Sequence, residues 1–161
     1  MFLRRKMVRR NSAGLLVYRL IDNVPEVLLV HPGGPFFVNK DAGAWTIPKG
    51  EPEEDEDLLA AARREFTEET GAVVDGDFIR MESVTQRSGK VVFAWAVANS
   101  GRLVLGSSNT FSIEWPPHSG AQGQFPEVDK VEWFDMATAR IKINPVQISF
   151  LDQFENLLAN H

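Results

Sequence analysis

From Ser12 to Tyr18 the chain reads SAGLLVY, and from Glu26 to His31 it reads EVLLVH. Two such short aliphatic and β-branched runs, separated by the turn-forming stretch Asp22-Asn23-Val24-Pro25, predict a β-hairpin. A loop rich in Gly and Pro follows (HPGGPFF), and Ala44 to Ile47 predicts a further short strand that stops at Pro48. The period then changes. A helix is expected from about Asp57 to Thr70, with Asp55 as its N-cap and Gly71 as the left-handed residue that ends it. On a helical wheel with Glu65 at zero, Leu59, Ala62 and Phe66 fall between about 60° and 120°, which makes one packing stripe. Strand-like segments recur at Phe78 to Gln86, Val91 to Asn99 and Val131 to Phe134. A last helix starts near Asn144-Pro145 and sets Ile148, Leu151, Phe154 and Leu158 on one apolar face. Ser107 to Pro126 lacks periodicity and reads as a long ordered loop. Strands, helix, strands, helix within 161 residues indicate an α+β or mixed-sheet fold in a single domain, with one core and no internal repeat.

Composition narrows the function classes. At 43% hydrophobic and 24% charged residues, the chain matches ordinary globular proteins and should fold alone. It has no cysteine, which excludes disulfides, thiolate metal sites and cysteine nucleophiles, and fits a cytoplasmic home. The longest apolar run, Val91 to Ala98, is far short of the roughly 20 residues needed to cross a bilayer, so no membrane partner is expected. Five of the 17 basic residues sit in the first ten, giving a basic N-terminal arm (residues 1–11) read as a solvated terminus ahead of the domain at 12–161. Beyond residue 10 the balance is 12 basic against 22 acidic, and a body this acidic disfavours nucleic-acid binding.

The acids are concentrated. Nine carboxylates fall between residues 51 and 69, and Glu65, Glu68 and Glu69 share an arc of about 100° beside the apolar stripe. Like charges at these spacings destabilise a helix by a few tenths of a kcal/mol per pair, and by more beside an apolar wall. A solvated acidic face tempered by Arg63 and Arg64 is the plain reading. An all-oxygen cluster that suits Mg²⁺ or Mn²⁺ is the functional one. An EF-hand is a poor alternative, because Glu54 to Asp57 lack its alternation and its central glycine.

The spacing decides between them. Gly50, Glu56, Arg64, Glu65, Phe66, Glu68, Glu69, Gly71 and Ala72 fall in the pattern Gly-x5-Glu-x7-Arg-Glu-U-x-Glu-Glu-x-Gly-U, which resembles the signature of the Nudix hydrolases. All seven fixed positions match; the two bulky-aliphatic positions U hold Phe66 and Ala72. The resemblance extends over most of the chain, from Ser12 to Leu158. It implies a mixed β-sheet sandwiched between helices and hydrolysis of a nucleoside diphosphate linked to another group, with Mg²⁺ as cofactor and Mn²⁺ as a substitute. Carried over position by position, it makes Glu65, Glu68 and Glu69 metal ligands, joined by a backbone carbonyl at Lys49 or Gly50. Glu56 and Arg64 then orient those ligands. Glu127 is the candidate for a later carboxylate that takes a proton, with Glu114 as the weaker alternative.

The substrate is less legible. Lys49, directly before the box, is similar to asymmetrical dinucleoside tetraphosphate hydrolases, and Lys90 and Arg87 are further cationic candidates for phosphate. A tyrosine 16 to 18 residues past the box, or a proline about 15 past it, marks other subgroups; the windows here hold Arg87, Ser88, Gly89 and Lys90. Phe36, Phe37, Trp45, Trp115 and Phe125 are aromatic candidates for stacking on a base, with core packing as the competing role. His31 and His118 are expected at strand ends or in loops. A small-molecule nucleotide is the expected partner. The alternative to an enzyme is a catalytically silent Nudix-fold module that binds a nucleotide or a protein.

Overall fold

The computed structural model describes residues 11–99, 103, 105–106 and 108–160, so residues 1–10 of the basic arm expected at 1–11 lie outside the described residues. β1 (Asn11–Ile21) and β2 (Val24–Pro32) form the expected hairpin, with Ile21 opposite Val24. The turn between them is only Asp22 and Asn23, both at positive φ (50° and 67°), the backbone twist that two-residue hairpins favour. Near its open end the hairpin splays. Val30 exchanges backbone hydrogen bonds with Thr46 rather than with β1, Leu15 N–H donates to Pro48 O at 3.1 Å, and β3 (Lys49–Gly50) pairs with Ala13 and Gly14. The strand expected at Ala44 to Ile47 is therefore reduced to single bridges, and the regular pairing falls at Lys49–Gly50. The inserted segment carries Lys49 and Gly50 onto the sheet.

α1 (Leu58–Thr70) follows. Its N-cap is Asp57, whose carboxylate accepts from Ala60 N–H, and not Asp55, which lies at φ 59° in the turn before it. Gly71 closes the helix at φ 72°, donating to Thr67 O. Two short strands, β4 (Ile79–Arg80) and β5 (Val84–Thr85), pair with β6 (Val91–Ala98), and β6 runs parallel to β1 over its whole length. β7 (Thr110–Glu114) and β8 (Gln122–Pro126) form a separate antiparallel hairpin. It replaces the long loop expected at Ser107 to Pro126: Phe111, Ile113, Gly123 and Phe125 alternate with exposed polar residues, a half-buried pattern that the Ser, Gly and Pro content disguises. β9 (Val128–Asp135) pairs with β2, giving the sheet order β4-β6-β1-β2-β9. α2 (Met136–Lys142), capped by Asp135, was not visible in the hydrophobic pattern. After it comes a 3₁₀ turn (Pro145–Gln147) capped by Asn144, and then α3 (Ile148–Ala159).

Both faces of the sheet are covered. Ala13, Leu15, Val17, Leu28, Trp95 and Val97 pack with Ala61, Ala62 and Phe66 of α1; Leu16, Val27, Leu29, Ala94 and Ala96 pack with Phe150, Leu151 and Phe154 of α3. The two-residue period of a strand sends neighbouring side chains to opposite cores, so a strand buried on both faces reads as a continuous apolar run. Phe66 is fully buried, and its truncation to Ala would cost about 3–5 kcal/mol. This stripe locks the rotation of α1, and the acidic face beside it is thereby fixed over β3.

Candidate metal and phosphate site

Arg64 is the hub of the acidic segment. Its Nε and Nη2 donate to the two carboxylate oxygens of Glu56, each at 2.9 Å, and Nη2 also donates to Glu51 O at 3.1 Å. Such a planar fork ties a loop to a helix more firmly than a single ion pair does. Nη1 turns the other way, to Glu65 Oε1 at 2.9 Å and to Glu68 at 3.1 Å. The Arg64 fork and the Glu53 backbone N–H hold the Glu56 carboxyl down at about 2.

Two carboxylates reach from α1 onto β3. The Lys49 N–H donates to Glu69 Oε2 at 3.1 Å. Glu65 lies so close over Gly50 that a Cβ there would sit 2.1 Å from its carboxyl carbon. Burial is the main cause that raises both groups. Glu69 is pushed up to about 8, with the Lys49 amine pulling the other way and Glu65 and Glu127 adding to the rise. Glu127, at the β8–β9 junction, is raised by burial and by facing Glu68. Its backbone is held on both sides: Glu127 N–H donates to Asn109 O at 2.8 Å, and Gly33 N–H donates to Glu127 O at 2.9 Å. The structure thus brings Glu127 to the helix carboxylates, whereas Glu114 sits in the other hairpin strand, accepting from His118 N–H.

The cationic candidates divide. Burial lowers the Lys49 amine, the Glu69 carboxylate opposes this, and the Lys90 charge adds to the lowering. Lys90 Nζ donates to Glu51 at 3.3 Å. Arg87 is exposed at the β5–β6 turn and lines a different hollow, with Asn144, Pro145 and Val146. Among the aromatics, Trp45 is a core residue and presents no stacking face: it is 2% exposed, edge-on to His31 and Phe134, and donates Nε1–H to Asp41. Phe36 is 54% exposed and meets Trp115 edge to face at 5.6 Å. Phe125 packs on Phe111, and Phe37 lies under Lys40. His31 is buried, with Nδ1 at 2.7 Å from Asp129 and Nε2 at 2.6 Å from Lys40 O, while His118 lies in the β7–β8 turn at φ 63°.

A cavity of roughly 510 Å³ opens beside Glu69, lined by Leu105, Gly106, Ser108, Thr110, Pro126 and the start of β9. Gly106 and Ser108 carried no signal in the sequence, because only the folded chain sets them against α1. Among the described residues, no three carboxylate or imidazole groups converge as a formed metal cage, since Arg64 lies among the acids as their counter-charge. The donor set nevertheless fits a hard divalent cation. It is all oxygen, it crowds charge that burial pushes toward protonation, and the missing Cβ of Gly50 leaves room for a carboxylate against the backbone.

The family model for the NUDIX domain matches residues 9–154, nearly the whole chain. The protein belongs to the Nudix family. No curated protein sequence matches it significantly. Among solved structures, this Nudix chain is similar to a C. elegans Ap4A hydrolase binary complex at 25% identity and a TM-score of 0.64, covering 94% of this chain and 99% of that one. It also resembles the NUDIX domain of Shewanella oneidensis NrtR complexed with ADP ribose, at 18% identity and a TM-score of 0.71, over 98% and 94% of the two chains. The E. coli ORF135 protein shares the fold at 20% identity and a TM-score of 0.57, over 94% of each chain. The expected α+β architecture, one mixed sheet between helices, is the observed one. Among the described residues, no helix is long and apolar enough to cross a membrane.

Proposed function

We propose that this Nudix protein is a Mg²⁺-dependent hydrolase of a phosphoanhydride bond in a nucleoside diphosphate derivative, with a dinucleoside polyphosphate ahead of a nucleoside triphosphate. The observation that carries the reading is the complete set of box carboxylates: Glu65 and Glu69 are held against β3, Glu68 lies beside them, and Glu127 faces them. The likeness to an Ap4A hydrolase, together with Lys49 before the box, favours a substrate with a long phosphate chain.

Glu65, Glu68 and Glu69, with the carbonyl of Lys49 or Gly50, would hold the cation. When bound, it neutralises pyrophosphate charge and makes the attacking water more acidic. Arg64, fixed by Glu56, sets the carboxylate positions by hydrogen bonding. Lys49 and Lys90 would supply cationic donors to the phosphate oxygens. Glu127 accepts the proton as water oxygen bonds to phosphorus and the bridging P–O bond breaks; burial raises its affinity for that proton. The products are two phosphate-terminated fragments, and no covalent enzyme intermediate is needed.

A catalytically silent nucleotide-binding module is the second reading, supported by the shared fold with a NUDIX domain bound to ADP ribose. Incubation with Ap4A, nucleoside triphosphates, nucleotide sugars and ADP-ribose, each with Mg²⁺ or EDTA, separates the two. Metal-dependent product release that Glu69→Gln abolishes is the expected result. Binding without turnover of any of them would favour the silent module.

A further inference from the structure

Glu127 is far from the box in sequence, yet it must stand at a set distance from carboxylates on α1. The connection between them is a short strap, described at Gly106, Ser108 and Asn109. Gly106 N–H donates to Thr70 O at 2.7 Å and Asn109 N–H donates to Glu68 O at 3.2 Å, so the strap is stitched to the last turn of the helix that carries the acids. Its approach is close: a Cβ on Gly71 would fall 2.4 Å from the Gly106 Cα. The strap's other side meets the start of β9 through one side chain. Ser108 Oγ accepts from Val128 N–H at 3.1 Å, and its one proton is within reach of two carbonyls, Val128 O at 2.9 Å and Asn109 O at 3.0 Å, so a single hydroxyl joins the strap to the residue after Glu127. Val128 is buried, and these are groups that water would not readily satisfy.

We infer that Ser108 is a positioning residue: its hydroxyl clamps β9 to the strap and thereby sets Glu127 against the box carboxylates. The inference rests on the proton-accepting role proposed for Glu127. Asn109 O takes the Glu127 N–H, so strap and acid move together, and loosening the clamp displaces the Glu127 carboxylate while the bonds of the α1 carboxylates to Arg64 and Lys49 stay in place. Gly33 supports the other side, where a Cβ would lie 2.0 Å from Pro126 O.

The test is a double-mutant cycle in the full chain with Mg²⁺, on whichever of Ap4A, ATP or ADP-ribose is turned over. Ser108→Ala should lower kcat by about 10- to 100-fold, the effect of misplacing a reacting group by about an ångström, with KM within about twofold. Ser108→Thr, which keeps the hydroxyl, should restore most of the rate. In a Glu127→Gln background, Ser108→Ala should add little, because the group it positions is already disabled. Hydrogen exchange at the Val128 amide should quicken in the Ala variant. If Ser108→Ala fails to fold, Ser108→Cys, a weaker donor, should give an intermediate kcat with the same non-additivity. Equal losses in both backgrounds, or an unchanged kcat with Val128 unprotected, overturns the positioning role and leaves the proposed function standing. A wild-type rate in Glu127→Gln overturns the base assignment and the inference with it.

Discussion

Gly50→Ala isolates the cradle from the fold. The new Cβ would lie 2.1 Å from the Glu65 carboxyl carbon, and ordinary contact begins at 3.4 Å, so the carboxylate must retreat by about 1.3 Å. What it meets is the far end of a flexible side chain, and a shifted rotamer costs on the order of 0.5–1.5 kcal/mol. The fold should survive with a small loss of melting temperature. Function should not, because the same retreat pulls Glu65 from Arg64 Nη1, now 2.9 Å away, and from its place beside Glu69. A displacement near 1 Å implies a fall in kcat of about 100-fold and weaker Mn²⁺ binding by titration calorimetry. Gly14→Ala is the contrasting control. There the Cβ would meet Pro48 O at 2.6 Å and Lys49 Cβ at 2.8 Å, groups that cannot swing aside, so stability should fall by about 1–3 kcal/mol. Turnover and metal affinity within twofold of wild type in Gly50→Ala would refute the claim that Gly50 is glycine to seat Glu65.

Further outcomes follow from the same geometry. Glu69→Gln should abolish turnover yet raise the melting temperature in EDTA by about 2–4 °C at pH 8. The wild-type carboxyl is raised to about 8 from 4.5, so its stabilisation is complete below pH 4.5 and lost as pH rises through 8, a loss the amide escapes. A melting difference that does not grow over that window would contradict this. Glu56 has the opposite sign: held at about 2, it supports the fold above pH 4.5 and loses that support as pH falls toward 2. Acid melting should therefore be steeper in wild type than in Glu56→Gln. Arg64→Lys should behave nearly as badly as Arg64→Ala in kcat assays, since a point charge cannot reproduce the fork to Glu56. Trp45→Phe should lower stability through the lost bond to Asp41 with KM unchanged, whereas Phe36→Ala, exposed beside Trp115, should alter KM with little change in melting.

Features that depend on neighbours within a few residues are legible in the chain. The box helix, its apolar stripe through Phe66 and the acidic arc beside it follow from a 3.6-residue period, glycine at position 71 marks the left-handed stop, and the distances among Gly50, Glu56 and Arg64 match the family signature. Where local signals competed, the nearest hydrogen bond won: Asp57 rather than Asp55 caps α1, because its carboxylate reaches the Ala60 N–H. Relations between distant segments arise on folding. The entry of residues 45–50 between β1 and β2 turned Trp45 into core and carried Lys49 and Gly50 under the acids. The β7–β8 hairpin, hidden in a Ser- and Gly-rich stretch, leads its second strand directly to Glu127. The strap at Gly106, Ser108 and Asn109 then joined that residue to α1 by backbone bonds. Backbone groups look alike in every residue, so such pairings leave no mark in a single sequence, and the site is complete only when the chain closes on itself.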